Sequence, residues 1–175
     1  MFYLYQKIVI MKTKIYIFLL VMLASVHLFA QNKTPPKYIK VTSGYLMVLR
    51  QGDNVLKELE DFAVAEKIPS ANFSGMGFVN ATFGFFNFKT KAYDPKTFND
   101  VELANMVGTI AWKDGKPSLH THGLVTDKDF NAHGGHMLEA SVGTGSVEIL
   151  ITPHDKKLSR ETEQPLGANV LNLNH

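Results

Sequence analysis

The sequence is built around two histidine-rich pieces, Leu119-His-Thr-His-Gly123 and His133-Gly-Gly-His-Met137, which are separated by a polar loop. Side chains alternate between the two faces of a β-strand, so His120 and His122 are expected to point the same way. A third imidazole, from His136, would complete a three-nitrogen face of the kind that holds Zn²⁺ with a fourth position open. The spacing predicts a metal site, and leaves open the alternative of ordinary core or surface histidines.

The kind of metal follows from the ligands that the chain offers. There is no cysteine, so disulfides, thiolate ligands and a cysteine nucleophile are excluded. Three imidazole ligands favour zinc or another divalent transition metal. His133 fits a fourth ligand, a partner of one of the ligands, or an exposed loop residue.

Two acidic residues are candidates for a general base beside a metal-bound water. Glu102 precedes the predicted hairpin, and Glu139 lies three positions after His136. A salt-bridge partner or a surface residue is the favoured interpretation of each. The sequence contains no H-E-x-x-H, no G-x-S-x-G and no phosphate-binding glycine loop, so it points to no particular reaction.

The first 30 residues are predicted to be an export signal. Lys12 and Lys14 precede the apolar run Ile15–Val26, and Ala30 is a plausible cleavage point. A retained N-terminal anchor is the alternative, although the run is short for a membrane span. We expect a periplasmic or secreted mature chain without a membrane span.

Removing the signal changes the charge of the chain. Residues 1–30 hold three lysines and no acidic residue, so Lys+Arg falls from 18 to 15 against 16 Asp+Glu, and the formal charge moves from +2 to −1. The mature chain therefore lacks the basic excess that nucleic-acid binders carry, which argues against a nucleic-acid partner.

Local patterns predict one main helix near the start of the domain. Asp53 is the expected N-cap, and apolar residues recur at helical spacing from Val55 to Ala63. The helix should stop near Lys67, before Ile68-Pro69.

The remaining patterns predict strands. Ser70–Phe88 is predicted to form two strands with a bend near Asn80. Its aromatic residues are interpreted as core or subunit interface, and base stacking is the alternative. Tyr93–Asp100 reads as a loop or short edge strand, and Asp114-Gly115 as a hairpin turn. One helix and about six to eight strands predict a single α+β domain with a central, mostly antiparallel sheet. Its expected extent is 41–153, between a linker at 31–40 and a polar C-terminal tail at 154–175.

The order of these features resembles a known family, the PPC (plants and prokaryotes conserved) domain, whose bacterial members are called PD1-like DNA-binding proteins. The likeness covers about Tyr45–Thr152. It is carried by residues in a fixed order: Arg50, Gly52-Asp53, the glycines from Gly75 to Gly84, Glu102-Leu103, Gly108, Asp114-Gly115, His120-Thr-His122 and Gly134-Gly-His136.

The resemblance implies more than the spacing does. It implies a compact α+β unit that assembles as a homotrimer, with a zinc-like metal on His120, His122 and His136. Plant members join the domain to AT-hook DNA-binding segments, and no Arg-Gly-Arg-Pro stretch occurs here. Three functions follow as hypotheses: a metal-binding domain without established catalysis, a metal-dependent hydrolase or lyase acting on a small molecule at the metal, and a DNA-binding protein.

Overall fold

The computed structural model describes residues 2–3, 6–7, 10–18 and 35–174. The larger of its two units, Lys37–His175, is built mainly of strands. The strands are β1 (Tyr38–Val41), β2 (Gly44–Arg50), β3 (Ser70–Asn87), β4 (Ala92–Lys113), β5 (Lys116–Thr126), β6 (Ala132–His154), β7 (Ser159–Glu163) and β8 (Ala168–Asn172). One helix, α1 (Val55–Ala65), lies between β2 and β3.

The smaller unit is Met1–Pro36. Its residues 10–18 are helical. No helix within the described residues has the length and apolar character needed to cross a bilayer. Most of the predicted apolar signal segment, from residue 19 onward, and the expected cleavage point at Ala30 lie outside the described residues.

Helix α1 forms where the sequence predicts it, but its cap is one residue later than expected. The side chain of Asn54, not Asp53, accepts a hydrogen bond from the Lys57 amide at 3.0 Å. Asp53 is held elsewhere, because its carboxylate accepts from the Arg50 amide at 2.9 Å and from Lys37 Nζ at 2.8 Å. The helix ends at Ala65, slightly before the predicted Lys67.

The buried face of α1 packs onto the sheet. Its buried residues are Val55, Leu59, Phe62 and Ala63. The Phe62 ring meets the rings of Tyr38 and Tyr45 edge to face, each at a centroid distance of 4.9 Å. Burial of one such aromatic side chain contributes about 1.5–3 kcal/mol. This packing also explains why β1 begins at Tyr38, inside the segment 31–40 that the sequence predicts to be a linker.

Among the described residues the sheet has eight strands, within the predicted range of about six to eight. Four long strands close into a ring, because β6 pairs with β3, β3 with β4, β4 with β5, and β5 again with β6. Strands β1 and β2 extend the sheet from β6. All these pairings are antiparallel. A parallel contact between β4 and β7, at Trp112 and Ser159, makes the sheet mixed.

Two predictions for the middle of the chain are correct in part. Ser70–Asn87 is one continuous strand and not two, but one of its register shifts, between Val79 and Ala81, falls at the predicted bend near Asn80. Tyr93–Phe98 is the first part of β4 and pairs only with the end of β3, so the edge-strand alternative holds there and the loop does not. The hairpin turn at Asp114-Gly115 is confirmed, with Lys113 paired to Lys116.

The C-terminal segment 154–175, predicted to be a polar tail, contains two strands. Strands β7 and β8 form an antiparallel hairpin from Ser159 to Asn172. Most of its residues are exposed, whereas Arg160 is only 6% exposed. This hairpin stands against the end of β4 and forms one wall of the cavity described below.

Candidate metal centre

The three predicted histidines lie together on two adjacent strands. His120 and His122 are on β5 with their side chains on the outer face, whereas Thr121 between them is 2% exposed and faces the core. His122 is the direct cross-strand partner of His136 on β6. The three rings have pairwise centroid distances of 5.2–5.3 Å.

A pair of glycines lets β6 come close to β5 at this point. A Cβ atom on Gly134 would lie 2.3 Å from the carbonyl oxygen of Gly123, a distance that a real side chain cannot adopt. Gly135 has a φ of +149°, which residues with a side chain rarely adopt. Gly-Gly therefore gives His136 its place opposite His122.

The ligand atoms are arranged as a three-coordinate face. One nitrogen from each of His120, His122 and His136 can be chosen so that all lie within 4.8 Å of one another. Nitrogen ligands about 2.0–2.1 Å from a tetrahedral zinc are themselves about 3.3 Å apart. The rings would have to turn for their nitrogens to reach this spacing, and His120 and His122 are exposed.

The surroundings of the rings favour their neutral form. Burial lowers the pKa of His120 below its ordinary value, and the positive charge of Arg160 and then His122 lower it further. Burial also lowers the pKa of His136, with smaller contributions from His120 and His122. Neutral imidazole is the form that binds metal ions.

His133 lies apart from this cluster. Its Nε2 is 3.1 Å from Oδ2 of Asp127, and its ring stacks on Phe98 at a centroid distance of 4.6 Å. It is three residues from His136, so the strand pleat turns it to the opposite face. This placement does not bring His133 to the three nitrogens as a fourth ligand.

The two acidic candidates also lie away from the histidines. Glu102 is exposed and opposite Thr126 on β5, and Glu139 is exposed and opposite Thr82 on β3. Neither carboxylate belongs to the metal-competent group or lines the neighbouring cavity. A general base at the histidines therefore has no carboxylate candidate among the residues predicted from the sequence.

A cavity of about 380 Å³ adjoins the histidines, and two of its lining residues, Tyr93 and Arg160, were given no role at the site by the sequence analysis. Tyr93 stacks on His136 with a centroid distance of 4.7 Å and an interplanar angle of 6°. Arg160 enters from β7. No local motif marks either residue, since both reach the site through long-range strand pairing.

Comparison with known proteins places the chain in a family. The model of the Plants and Prokaryotes Conserved (PCC) domain matches residues 37–155, and the chain belongs to this family. The resemblance inferred from the histidines and glycines is thus confirmed. None of the curated proteins compared with this chain matches it.

Solved structures share the fold. The structure of a "putative DNA-binding protein" from Ralstonia eutropha JMP134 has 56% identity and a TM-score of 0.77, covering 78% of this chain and 96% of that one. A "putative DNA binding protein" from Bacteroides thetaiotaomicron VPI-5482 has 31% identity and a TM-score of 0.74, covering 79% and 97%. A "metal-containing protein" from Archaeoglobus fulgidus has 26% identity and a TM-score of 0.67, covering 78% and 98%.

Proposed function

We propose that this domain binds a divalent transition metal, with zinc preferred, through His120, His122 and His136. The observation that carries the proposal is the convergence of three imidazole nitrogens within 4.8 Å on one face of the β5–β6 pair. The metal-containing relative from Archaeoglobus fulgidus supports it. A zinc ion here would supply a Lewis acid with an open coordination position.

Metal analysis of the purified protein tests this proposal. After chelation and reloading with zinc, wild-type protein should retain about one ion per chain, and a His120→Ala/His122→Ala variant should retain almost none. A His133→Ala variant, which removes a histidine outside the cluster, should load as wild type does. Equal zinc content in wild type and the double variant would refute the proposal.

A second candidate function is metal-dependent hydrolysis or lyase chemistry on a small substrate. The cavity of about 380 Å³ beside His120 and His136 favours it, because ligand pockets begin at roughly 300 Å³. Turnover should be sought with ester, lactone and phosphoester panels, with and without chelator. Activity that survives a His136→Ala substitution would count against this function.

Two of the relatives are named as putative DNA-binding proteins, but we do not propose DNA binding for this chain. Duplex binding depends on an excess of Lys and Arg, and the predicted mature chain has a formal charge of −1. A salt-sensitive mobility shift of duplex DNA by the purified protein would contradict this view.

We also propose that the chain is exported and forms a homotrimer. Export rests on the predicted signal at 1–30, and N-terminal sequencing of protein from the periplasm or medium tests it. Trimer formation rests on the family resemblance and on apolar side chains that remain exposed on the outer sheet face, among them Leu46, Met76, Val107 and Leu150. Light scattering should give three times the chain mass, and a monomer would contradict it.

A further inference from the structure

Arg160 is a buried cation at the edge of the proposed metal site. Its side chain is 6% exposed, and it lines the cavity together with His120 and His136. Its Nη2 donates to Oγ1 of Thr109, and its Nε donates to the carbonyl oxygen of Ser118 at 3.4 Å. These two bonds fix the guanidinium against the β4–β5 pair, where Thr109 is the cross-strand partner of His120.

No acidic residue within the described part of the chain neutralises this charge. Lys37, by contrast, is more exposed and still binds two carboxylates, Asp53 at 2.8 Å and Glu58 at 2.5 Å. Burial lowers the pKa of Arg160, without an opposing effect from any carboxylate. Arginine is seldom buried unless it is paired, because removal of its charge from water is costly.

The unused edge of the guanidinium is available to a ligand. Nη1 makes no hydrogen bond within the described residues, and Nη2 has a second N–H beyond the one given to Thr109. Two parallel N–H groups on one edge match the two oxygens of a carboxylate.

The remaining walls of the cavity are mostly apolar. Phe86, Phe88 and Tyr93 form an aromatic cluster, with Phe86 5.3 Å from Phe88 and 5.4 Å from Tyr93 between ring centroids. Leu119 and Leu166 add aliphatic surface. A ligand that fills this space therefore needs one anionic end and a compact apolar part.

We propose that Arg160 is the anion-binding residue of this cavity and that the ligand is a small organic acid whose carboxylate pairs with the guanidinium. A second donor group of the same molecule would reach the histidines, and this part of the inference rests on the proposed metal site. The family match ends at residue 155, so the strand that carries Arg160 is an element of this chain outside the matched region.

Isobutyrate is a suitable probe, with the neutral isostere isobutyramide and inorganic phosphate as comparisons. Calorimetric titration of the whole protein should detect isobutyrate binding and no isobutyramide binding. Arg160→Met should weaken isobutyrate binding about 10- to 100-fold, the factor expected for loss of a charged hydrogen-bonded pair, and Arg160→Lys should weaken it less. Equal affinity in wild type and Arg160→Met, or a preference for phosphate, would overturn the inference.

A measurement on unmutated protein covers the case in which the Arg160 variants do not fold. The chain has two arginines, Arg50 and Arg160, so protein labelled with ¹⁵N-arginine gives two side-chain Nε signals. Isobutyrate should shift the Arg160 signal and leave that of the exposed Arg50 unchanged, with an Arg50→Lys variant providing the assignment. Two unshifted signals at saturating isobutyrate would refute the inference.

Zinc loading separates this inference from the proposed function. Both stand if Arg160→Met retains zinc and loses isobutyrate binding. If wild type binds no zinc but metal-free protein still binds isobutyrate through Arg160, the anion site stands and the metal proposal fails. If zinc binds to His120, His122 and His136 but Arg160→Met does not change isobutyrate binding, the metal proposal stands and the anion site fails.

Discussion

Four of the histidines on β5 and β6, namely His120, His122, His133 and His136, have two different environments. Within the described residues no hydrogen bond reaches the side chains of His120, His122 or His136, and these three rings face one another, with His136 also stacked on Tyr93. His133, on the same strand as His136, has a carboxylate partner in Asp127 and an aromatic partner in Phe98. A histidine with a hydrogen-bond partner thus lies three residues from a histidine of the cluster, whose side chains have none among the described residues.

The difference shows what the strand pleat decides. His133 and His136 are an odd number of positions apart and point to opposite faces, whereas His120 and His122 share a face. Direct pairing of His122 with His136 then joins the three imidazoles. His133 and Asp127 satisfy each other and stabilise the loop between β5 and β6. The three imidazoles of the cluster lack hydrogen-bond partners in the described part of the chain and are available to a ligand.

The largest expected effect is on zinc affinity, when one histidine of the cluster, His136, and the histidine outside it, His133, are each replaced by alanine. His136→Ala should weaken zinc binding by more than 100-fold, because loss of even an outer-shell partner of a metal ligand costs about 10- to 100-fold. His133→Ala should change zinc affinity by less than about 3-fold. Competition titration with a zinc-binding dye gives both values, and the reverse order would invalidate the comparison.

The next effect concerns the close approach that brings the rings together. Gly134→Ala would place a Cβ against the carbonyl oxygen of Gly123 and should lower the free energy of unfolding by about 1–3 kcal/mol. Because β6 would move away from β5, zinc affinity should fall as well. Urea unfolding and the dye titration test both effects, and a variant with unchanged stability would show that the contact is tolerated.

The inner face of β5 should respond differently. Oγ1 of Thr121 is buried and has no hydrogen-bond partner among the described residues. Thr121→Val removes this unsatisfied hydroxyl while it keeps the shape, so the free energy of unfolding should rise by about 1–2 kcal/mol. Zinc affinity should not change.

An exposed threonine provides the matched control for that substitution. Thr152→Val, on β6, should stay within about 0.5 kcal/mol of wild type. A destabilised Thr121→Val protein would mean that its hydroxyl is satisfied.

The smallest effect is the pH response of the satisfied pair. The pKa of Asp127 is lowered from 3.8 to about 2, first by the hydrogen bond with His133 and then by the Asn131 amide. A carboxyl with a lowered pKa contributes stability that is complete above its unfolded value and is lost as pH falls from about 4 to about 2. Acid unfolding of Asp127→Asn should therefore lack part of the decline seen for wild type in that range.

Asp155→Asn is the control for the acid experiment. Asp155 is exposed and has no ion pair within the described chain, so its substitution should leave the acid profile unchanged. Identical profiles for wild type and Asp127→Asn would contradict the role given to the His133 contact.

Short-range patterns predicted much of the fold and of the cluster. The helix from Val55, the hairpin at Asp114-Gly115 and the shared face of His120 and His122 all depend on residues close in sequence. Asp114 and Gly115 both have positive φ, of 50° and 77°, as the turn that joins two twisted strands requires. Gly134-Gly135 correctly indicated that the backbone of β6 approaches its neighbour.

Long-range pairing could not be predicted in the same way. The bulges of β3 depend on its register with β4 and β6, so one strand looked like two. The hairpin β7–β8 is polar in sequence and gave no strand pattern that distinguishes it from a tail. Arg160 and Tyr93 reach the cavity only after these pairings form. The sequence alone therefore did not predict that they line it.

Anomalous diffraction at the zinc absorption edge, from crystals of zinc-loaded protein, tests the central claim most directly. The account predicts one strong peak about 2.0–2.1 Å from a nitrogen of each of His120, His122 and His136. A peak at His133 and Asp127 with none at the three rings would contradict it. The absence of any peak from crystals grown with saturating zinc would also contradict it.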